Sequence, residues 1–268
     1  MTIETTGQLE TSKLFQLTGR TVLVTGGAGG LGWTMACALA DVGAKVFVTS
    51  NSTEPPHVGT YGTGSIRHIG FYDLSSSDGI SDLISAVSEA VPQLDILVNN
   101  AGVYATTGLD DSDVETWDRM FDCNLKAVFF LTQGMIPLLK RAAEQGNRSR
   151  IINIGSVVGR FPASIVPYAI SKSGVHHLTS ILAGQLAKSG INVNAIAPGA
   201  FRTRMTEEAL DAMGEEFEKS IPVGRIGAPS DIAATTVFLA SAASEFLTGH
   251  VLPLDGGYAD LLGVSLPE

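Results

Sequence analysis

Thr21-Val-Leu-Val-Thr-Gly-Gly-Ala-Gly-Gly-Leu-Gly32 begins as an unbroken apolar run and ends in a cluster of glycines. A short apolar run bounded by a turn signal reads as a parallel strand buried on both faces. The helix expected from about Gly30 to Val42 starts inside the cluster, so strand, glycine turn and helix follow one another directly. Glycines there permit positive φ and close backbone approach, and a helix dipole favours negative charge at its first turn. That is the context a pyrophosphate-binding turn requires. A glycine turn without a ligand is the plainer reading, and its place on the first strand of a βα alternation weighs against it.

The same rhythm continues outward from this stretch. Apolar runs at Lys45–Thr49, Ser65–Phe71, Leu94–Val98, Arg150–Ile154, Ile191–Ile196 and Val251–Leu254 read as strands, with helical patterns at about 78–91, 113–143, 165–189 and 229–242. The expected fold is α/β: a single-domain, Rossmann-type, doubly wound parallel sheet of about seven strands with helices on both faces. Residues 1–16 are expected to be a polar tail and residues 17–268 one catalytic domain. Two segments break the rhythm. Residues 51–64 hold too much Pro and Gly for the crossover helix due there, which is expected to be shortened or absent. Phe201 to Gly227, with a short helix near 206–218, is expected to form a substrate lid, its acidic residues serving equally well as a solvated face.

Composition excludes several classes. With 268 residues, 44% hydrophobic and 30 glycines, the chain suits a turn-rich enzyme rather than a disordered or coiled-coil protein. A net charge of −10 without a basic cluster argues against nucleic acid as a partner. It leaves dinucleotide binding open, because backbone N–H groups hold a pyrophosphate without side-chain charge. Two cysteines, Cys37 and Cys123, make neither a disulfide scaffold nor a multi-cysteine metal site. The polar start from Met1 to Lys13 and the lack of a membrane-length apolar stretch lead us to expect a soluble, cytoplasmic protein without a membrane partner.

Chemistry enters with Tyr168-Ala-Ile-Ser-Lys172, preceded by Ser156. Residues four apart share a helix face, so phenol and ammonium project toward one point. Lowering a phenol from ~10 to about 7 takes roughly 4 kcal/mol, and an ammonium about 4–5 Å away supplies an interaction of that order. An ordinary surface pair has the same spacing, so the motif gains weight only from its company. Thr25 to Gly32 in the pattern TGxxxGxG, Asn99-Asn-Ala-Gly102, Asn124, Ser156, Tyr168 with Lys172, Pro198-Gly199 and Asp255-Gly-Gly257 resemble the short-chain dehydrogenase/reductase family, in its order, over about residues 17–258. Ile152 to Ser156, Ile191 to Thr206 and Ile221 to Gly227 look most like its 3-oxoacyl-[acyl-carrier-protein] reductase-like branch, which includes the rhamnolipid-synthesis group.

The resemblance implies a reversible hydride transfer between a nicotinamide cofactor and a small-molecule ketone or secondary alcohol. Tyr168 would be the general acid or base, Lys172 would lower its pKa and bond the nicotinamide ribose, and Ser156 would bond the substrate oxygen. Asn124 would hold a water in the proton relay. Cofactor contacts would come from Gly26, Gly29, Gly30, Leu31, Gly32, Ser50, Asn51, Asp73, Leu74, Asn100, Ala101, Gly102, Tyr168, Lys172, Pro198, Gly199 and Thr203. Asp73 would bind adenine, with a helix cap as its structural alternative. Neutral Ser50 and Asn51 at the end of the second strand remove the carboxylate that would repel a 2′-phosphate, so NADP(H) is favoured over NAD(H). Arg67 and His57 are candidate phosphate partners.

Val103, Tyr104, Val157, Val158, Arg160, Phe161, Ala200, Phe201 and Met205 would line the substrate pocket, and Arg160, Arg202 or Arg204 would meet an anionic handle. His176 and His177 read as packing or interface residues. The helices near 113–143 and 165–189 would pair in a homodimer or homotetramer. Ser156 to Tyr168 is one residue shorter than in most relatives, so the loop between them must take its own path. Two rival readings remain, a catalytically silent dinucleotide-binding scaffold and a non-redox enzyme such as a dehalogenase. Intact Tyr168 and Lys172 speak against the first and the intact glycines against the second.

Overall fold

Strands that are apolar on both faces must be covered from above and below. A computed structural model, which describes residues 10–51 and 58–261, has that arrangement. Its strands are β1 (Thr21–Val24), β2 (Lys45–Ser50), β3 (Gly59–Tyr61), β4 (Gly64–Phe71), β5 (Ile96–Asn99), β6 (Ser149–Ile154), β7 (Ile191–Pro198) and β8 (Val251–Leu254). Its helices are α1 (Gly30–Asp41), α2 (Ser77–Ala90), α3 (Val114–Phe121), α4 (Ala127–Ala143), α5 (Val166–Leu186), α6 (Glu207–Ser220) and α7 (Pro229–Ala240). The sheet runs β3-β4-β2-β1-β5-β6-β7-β8. Every pairing is parallel except β3 with β4. Strand order reverses at β1, between β2 and β5, so a crevice opens where their carboxyl ends diverge.

Alternate residues of each strand feed two cores. Val22, Val24, Ile152, Ile154 and Ile196 pack with Met35 and Leu39 of α1 and Ile232 and Leu239 of α7. Leu23, Leu97, Ile151 and Val193 point the other way, onto Leu83 of α2, Leu131 and Met135 of α4 and Leu182 of α5. Period-2 alternation therefore survives even where the sequence reads as continuous Val, Leu and Ile.

Two differences from the sequence expectation stand out. The sheet has eight strands, because Gly59–Tyr61 adds an antiparallel edge to β4. Its two-residue turn, Gly62-Thr63, places glycine at the first position with φ +54°, as a tight hairpin requires. Tyr61 then packs edge-on against Trp33 of α1, with ring centroids 5.7 Å apart. The helical pattern over 113–143 is continuous but not uniformly α: a single π turn, Asp122–Lys126, joins α3 to α4. It carries Asn124, and such turns concentrate at functional sites.

Candidate active site

The glycine turn is shaped to leave room in front of α1. Gly26 and Gly30 have φ of +60° and +53°, conformations that L side chains resist. A Cβ on Gly29 would meet nothing within 4 Å, and one on Gly30 only the Thr203 side chain at 3.8 Å. α1 has neither a capping side chain nor an acidic residue in its first turn. Its N–H groups and dipole are thus open to an anion, and the cradle fits a dinucleotide pyrophosphate. Gly32 serves packing instead, since a Cβ there would strike Asn100 Nδ2 and the Gly26 carbonyl. Leu31 is half-buried against the α1-side core. Asn100 braces the turn, donating to Thr25 O at 2.9 Å and Gly26 O at 3.1 Å. Ala101 N donates to Thr25 Oγ1 at 3.0 Å.

Across the crevice, the four expected catalytic residues converge. Ser156, 9% exposed, adjoins the Tyr168 phenol and acts to lower its pKa. Lys172 lies one turn along α5, buried, its Nζ 5.8 Å from the Tyr168 ring centre and donating to Ile154 O at 2.9 Å. A Cβ on Gly102 would lie 3.1 Å from Asn124 Oδ1 and 3.5 Å from that Nζ, so Gly102 borders both side chains. Asn124 is fully buried; its side chain accepts from Val103 N at 2.8 Å and donates to Val103 O at 3.0 Å. The side chain thereby ties down the strand-to-loop exit beside Gly102. The Ser156–Tyr168 connection begins with a tight 3-10 turn, Val157–Gly159.

Burial, rather than the ammonium, dominates the acidities. It pushes the Tyr168 phenol up to about 12, against a lowering by Ser156 and with a further rise from Tyr104. Burial likewise pulls Lys172 down to about 8. The expectation that Lys172 draws the phenol toward neutrality fails here because both groups lose solvent together, which disfavours both charges. A phenol so held is a retained proton, released to a base as strong as an alkoxide.

The remaining predicted positions divide. Thr203 faces the glycine turn, its N–H donating to Thr206 Oγ1 at 3.0 Å. Pro198 ends β7, and Gly199 passes so close to Asp255 that a Cβ would lie 2.7 Å from the Asp255 Cβ. Asp73 neither caps α2 nor stands free: it accepts from Ser75 N at 2.9 Å and Ser75 Oγ at 2.6 Å, which lowers its pKa, while Ser76 is the cap. Leu74 belongs to the core. Ser50 is buried with its Oγ 3.1 Å from His68 Nε2, and Asn51 is exposed. Arg67 pairs in register with Phe47, back from the Ser50 end, so His68 rather than Arg67 neighbours Ser50. His57 lies outside the described residues.

Among the pocket candidates, Phe201 is core, sealed by the bare Cα of Gly227, and Val157 is buried. Val103, Tyr104, Val158, Phe161 and Ala200 are half-buried, and Met205 is exposed. Tyr104 packs edge-on to Tyr168 at 5.0 Å. Arg160 pairs with Asp260 at 2.9 Å and Arg202 with Asp211 at 2.7 Å, whereas Arg204 makes no ion pair among the described residues.

Several further residues support the site. Asn99 and Asn153 face each other in register across β5 and β6 and join Thr132 and Thr179 in a buried polar chain. Asparagine inside two otherwise apolar strands was the available signal. Thr25 receives Asn100 N and Ala101 N and so locks β1 to β5. Tyr258 packs against both Phe161 and Phe217, linking the Ser156 loop to α6. His176 sits under the Ser156 loop.

Known proteins are similar to this chain in sequence and fold. The family profile described as enoyl-(acyl carrier protein) reductase matches residues 26–259. The chain is 40% identical to the rhamnolipids biosynthesis 3-oxoacyl-[acyl-carrier-protein] reductase of Pseudomonas aeruginosa, over 91% of this chain and 98% of that protein. The structure of the Pseudomonas aeruginosa RhlG/NADP active-site complex superposes with a TM-score of 0.84 at 38% identity, covering 92% of this chain and 99% of the other. A gluconate 5-dehydrogenase from Burkholderia cenocepacia, in complex with NADP and tartrate, gives 0.84 at 30% identity over 94% and 99%. The chain belongs to the short-chain dehydrogenase/reductase family and is an NAD(P)-dependent oxidoreductase of ketones and secondary alcohols.

Proposed function

We propose that this protein is an NADP(H)-preferring ketoreductase, acting in the cytoplasm as a homodimer or homotetramer, in which Tyr168 hands a proton to the oxygen of a ketone carried on a largely apolar body. The observation that carries the reading is the meeting of Ser156 with Tyr168, with Lys172 buried one turn beyond and its ammonium bordered by Gly102. The nicotinamide supplies the hydride. Ser156 donates to the carbonyl oxygen and stabilises the charge that develops there. Tyr168, still protonated at neutral pH, then delivers its proton. Lys172 spends one N–H on Ile154 and keeps two for ribose hydroxyls. Gly26, Gly29, Gly30 and the first turn of α1 hold the pyrophosphate, and Thr203 the carboxamide end.

NADP(H) is supported by neutral Ser50 and Asn51 beside His68, and by the NADP bound in two similar structures. An apolar substrate body is supported by Val103, Tyr104, Val158 and Phe161, with Arg160 and Arg202 already engaged by carboxylates. Residues 201–227 would act as the lid. The gluconate dehydrogenase likeness gives a second reading, a sugar acid met by Arg204. The deciding experiment is a screen following nicotinamide absorbance with NADPH and NADH against 3-oxoacyl thioesters, cyclic ketones, diketones and keto sugar acids. The proposal expects thioesters or apolar ketones to be reduced with NADPH; turnover confined to sugar acids, or to NADH, would overturn it. Light scattering at micromolar concentration should find at least a dimer, joined where Phe129, Phe130 and Ile181 lie exposed on α4 and α5.

A further inference from the structure

Tyr168, Lys172 and His176 occupy positions i, i+4 and i+8 of α5, one stripe of the helix, yet the reaction as described uses only two of them. The His176 ring lies in a slot whose ends are glycines. A Cβ on Gly155 would fall on its Nε2 and Cδ2, and one on Gly159 would lie 2.9 Å from its Cε1. Between these two glycines runs Ser156. Its backbone N–H donates to His176 Nε2 at 3.4 Å, and the Cε1 side of the ring lies against Gly159. One imidazole thus packs against both ends of the turn that carries Ser156.

We propose that His176 is a positioning residue for Ser156, its neutral ring accepting the Ser156 N–H at Nε2 and bonding Gly159 through Nδ1–H. The tautomer follows from the donors: Ser156 N–H needs an unprotonated Nε2, so the proton of a neutral ring is on Nδ1. The surroundings keep the ring neutral. Burial above all, then the Lys172 ammonium and the Arg160 guanidinium, pull His176 down to about 4, against a smaller rise from the Gly159 bond. Ser156 is extended there, φ −164° and ψ 150°, and has no helical partner for its N–H, so without the ring the turn is free to rotate its hydroxyl away from the substrate oxygen. An apolar ring of similar size would fill the slot but leave that N–H unpaired.

The inference rests on the ketoreductase reading, and its test separates the two. His176→Phe keeps the ring and removes both hydrogen bonds; His176→Gln restores an acceptor and a donor. With any ketone the wild type reduces, His176→Phe should lose kcat about 30- to 100-fold, as expected of a misplaced donor. Cofactor KM should stay within about twofold and His176→Gln should recover most of kcat, because the ring acts on Ser156 and not on the crevice. Independently of turnover, nitrogen-15 NMR of the cofactor-free protein at neutral pH should show His176 with Nε2 unprotonated. Wild-type kcat in His176→Phe, no rescue by His176→Gln, or an Nε2–H ring would overturn the proposal, even if His176→Phe folds poorly. A wild type that reduces no ketone would instead overturn the functional reading, and with it the catalytic part of this one.

Discussion

The floor of the crevice and its rim are built in opposite ways. On the floor, Ser156, Lys172 and Asn124 are buried, and each polar atom described above has a named partner. On the rim, α6 has no buried residue, breaks its helical geometry at Gly214 with φ +68°, and is pinned to the body by the Phe217–Tyr258 contact. The floor sets acidities by withdrawing solvent; the rim offers surface that is cheap to rearrange. Reaction type therefore belongs to the floor and substrate choice to the rim, the division expected where loops carry specificity on a rigid scaffold.

Lys172→Met is the strongest way to break this contrast. Turnover should fall by at least about a hundredfold, since the charge beside Tyr168 and the ribose donors are lost. The variant should nevertheless be more stable, by about 1–2 kcal/mol near neutral pH, and so melt higher, because a buried ammonium pulled down to about 8 costs stability whenever it is charged. A lower melting temperature would show that the Ile154 bond outweighs burial. The sign of the pH dependence follows. The folded-state value lies below 10.5, so the unfolded chain binds the extra proton between about 8 and 10.5, and this group's contribution to stability rises with pH across that window. Over the same range the reduction rate should fall as Lys172 loses its charge.

Next in size is the far end of the crevice. Asn51→Asp places a carboxylate where none stands and should shift preference toward NADH by about tenfold or more, read as the ratio of kcat/KM values. An unchanged ratio would move phosphate recognition elsewhere. Smallest are the rim ion pairs. Arg160→Ala and Arg202→Ala should change substrate KM within about threefold and leave kcat and melting nearly unmoved, because exposed pairs contribute about 0–1 kcal/mol. A large loss of kcat in either would make the rim part of the chemistry.

The sequence was legible where local rules and burial agree. Thr21 to Gly32 declared a strand, a turn and a helix start, and Tyr168 with Lys172 declared a helix face, because periodicity and glycine chemistry are local. The hairpin at Gly59–Tyr61 was lost because three residues beside a Pro-rich stretch carry too little pattern, although Gly62-Thr63 marked its turn. The acidities were misjudged because desolvation depends on what the rest of the chain places over Tyr168 and Lys172, which spacing does not report. His176 was legible as one more step of the i+4 stripe, but its role needed Gly155 and Gly159, brought to it only by the fold.

The most direct test of the floor as a proton-delivery site is Tyr168→Phe, which removes the phenol oxygen and keeps the ring. NADPH fluorescence titration should give a dissociation constant within about twofold to threefold of wild type, while ketone reduction falls by at least about a thousandfold at every pH. Reduction at near wild-type rate by that variant would contradict the account.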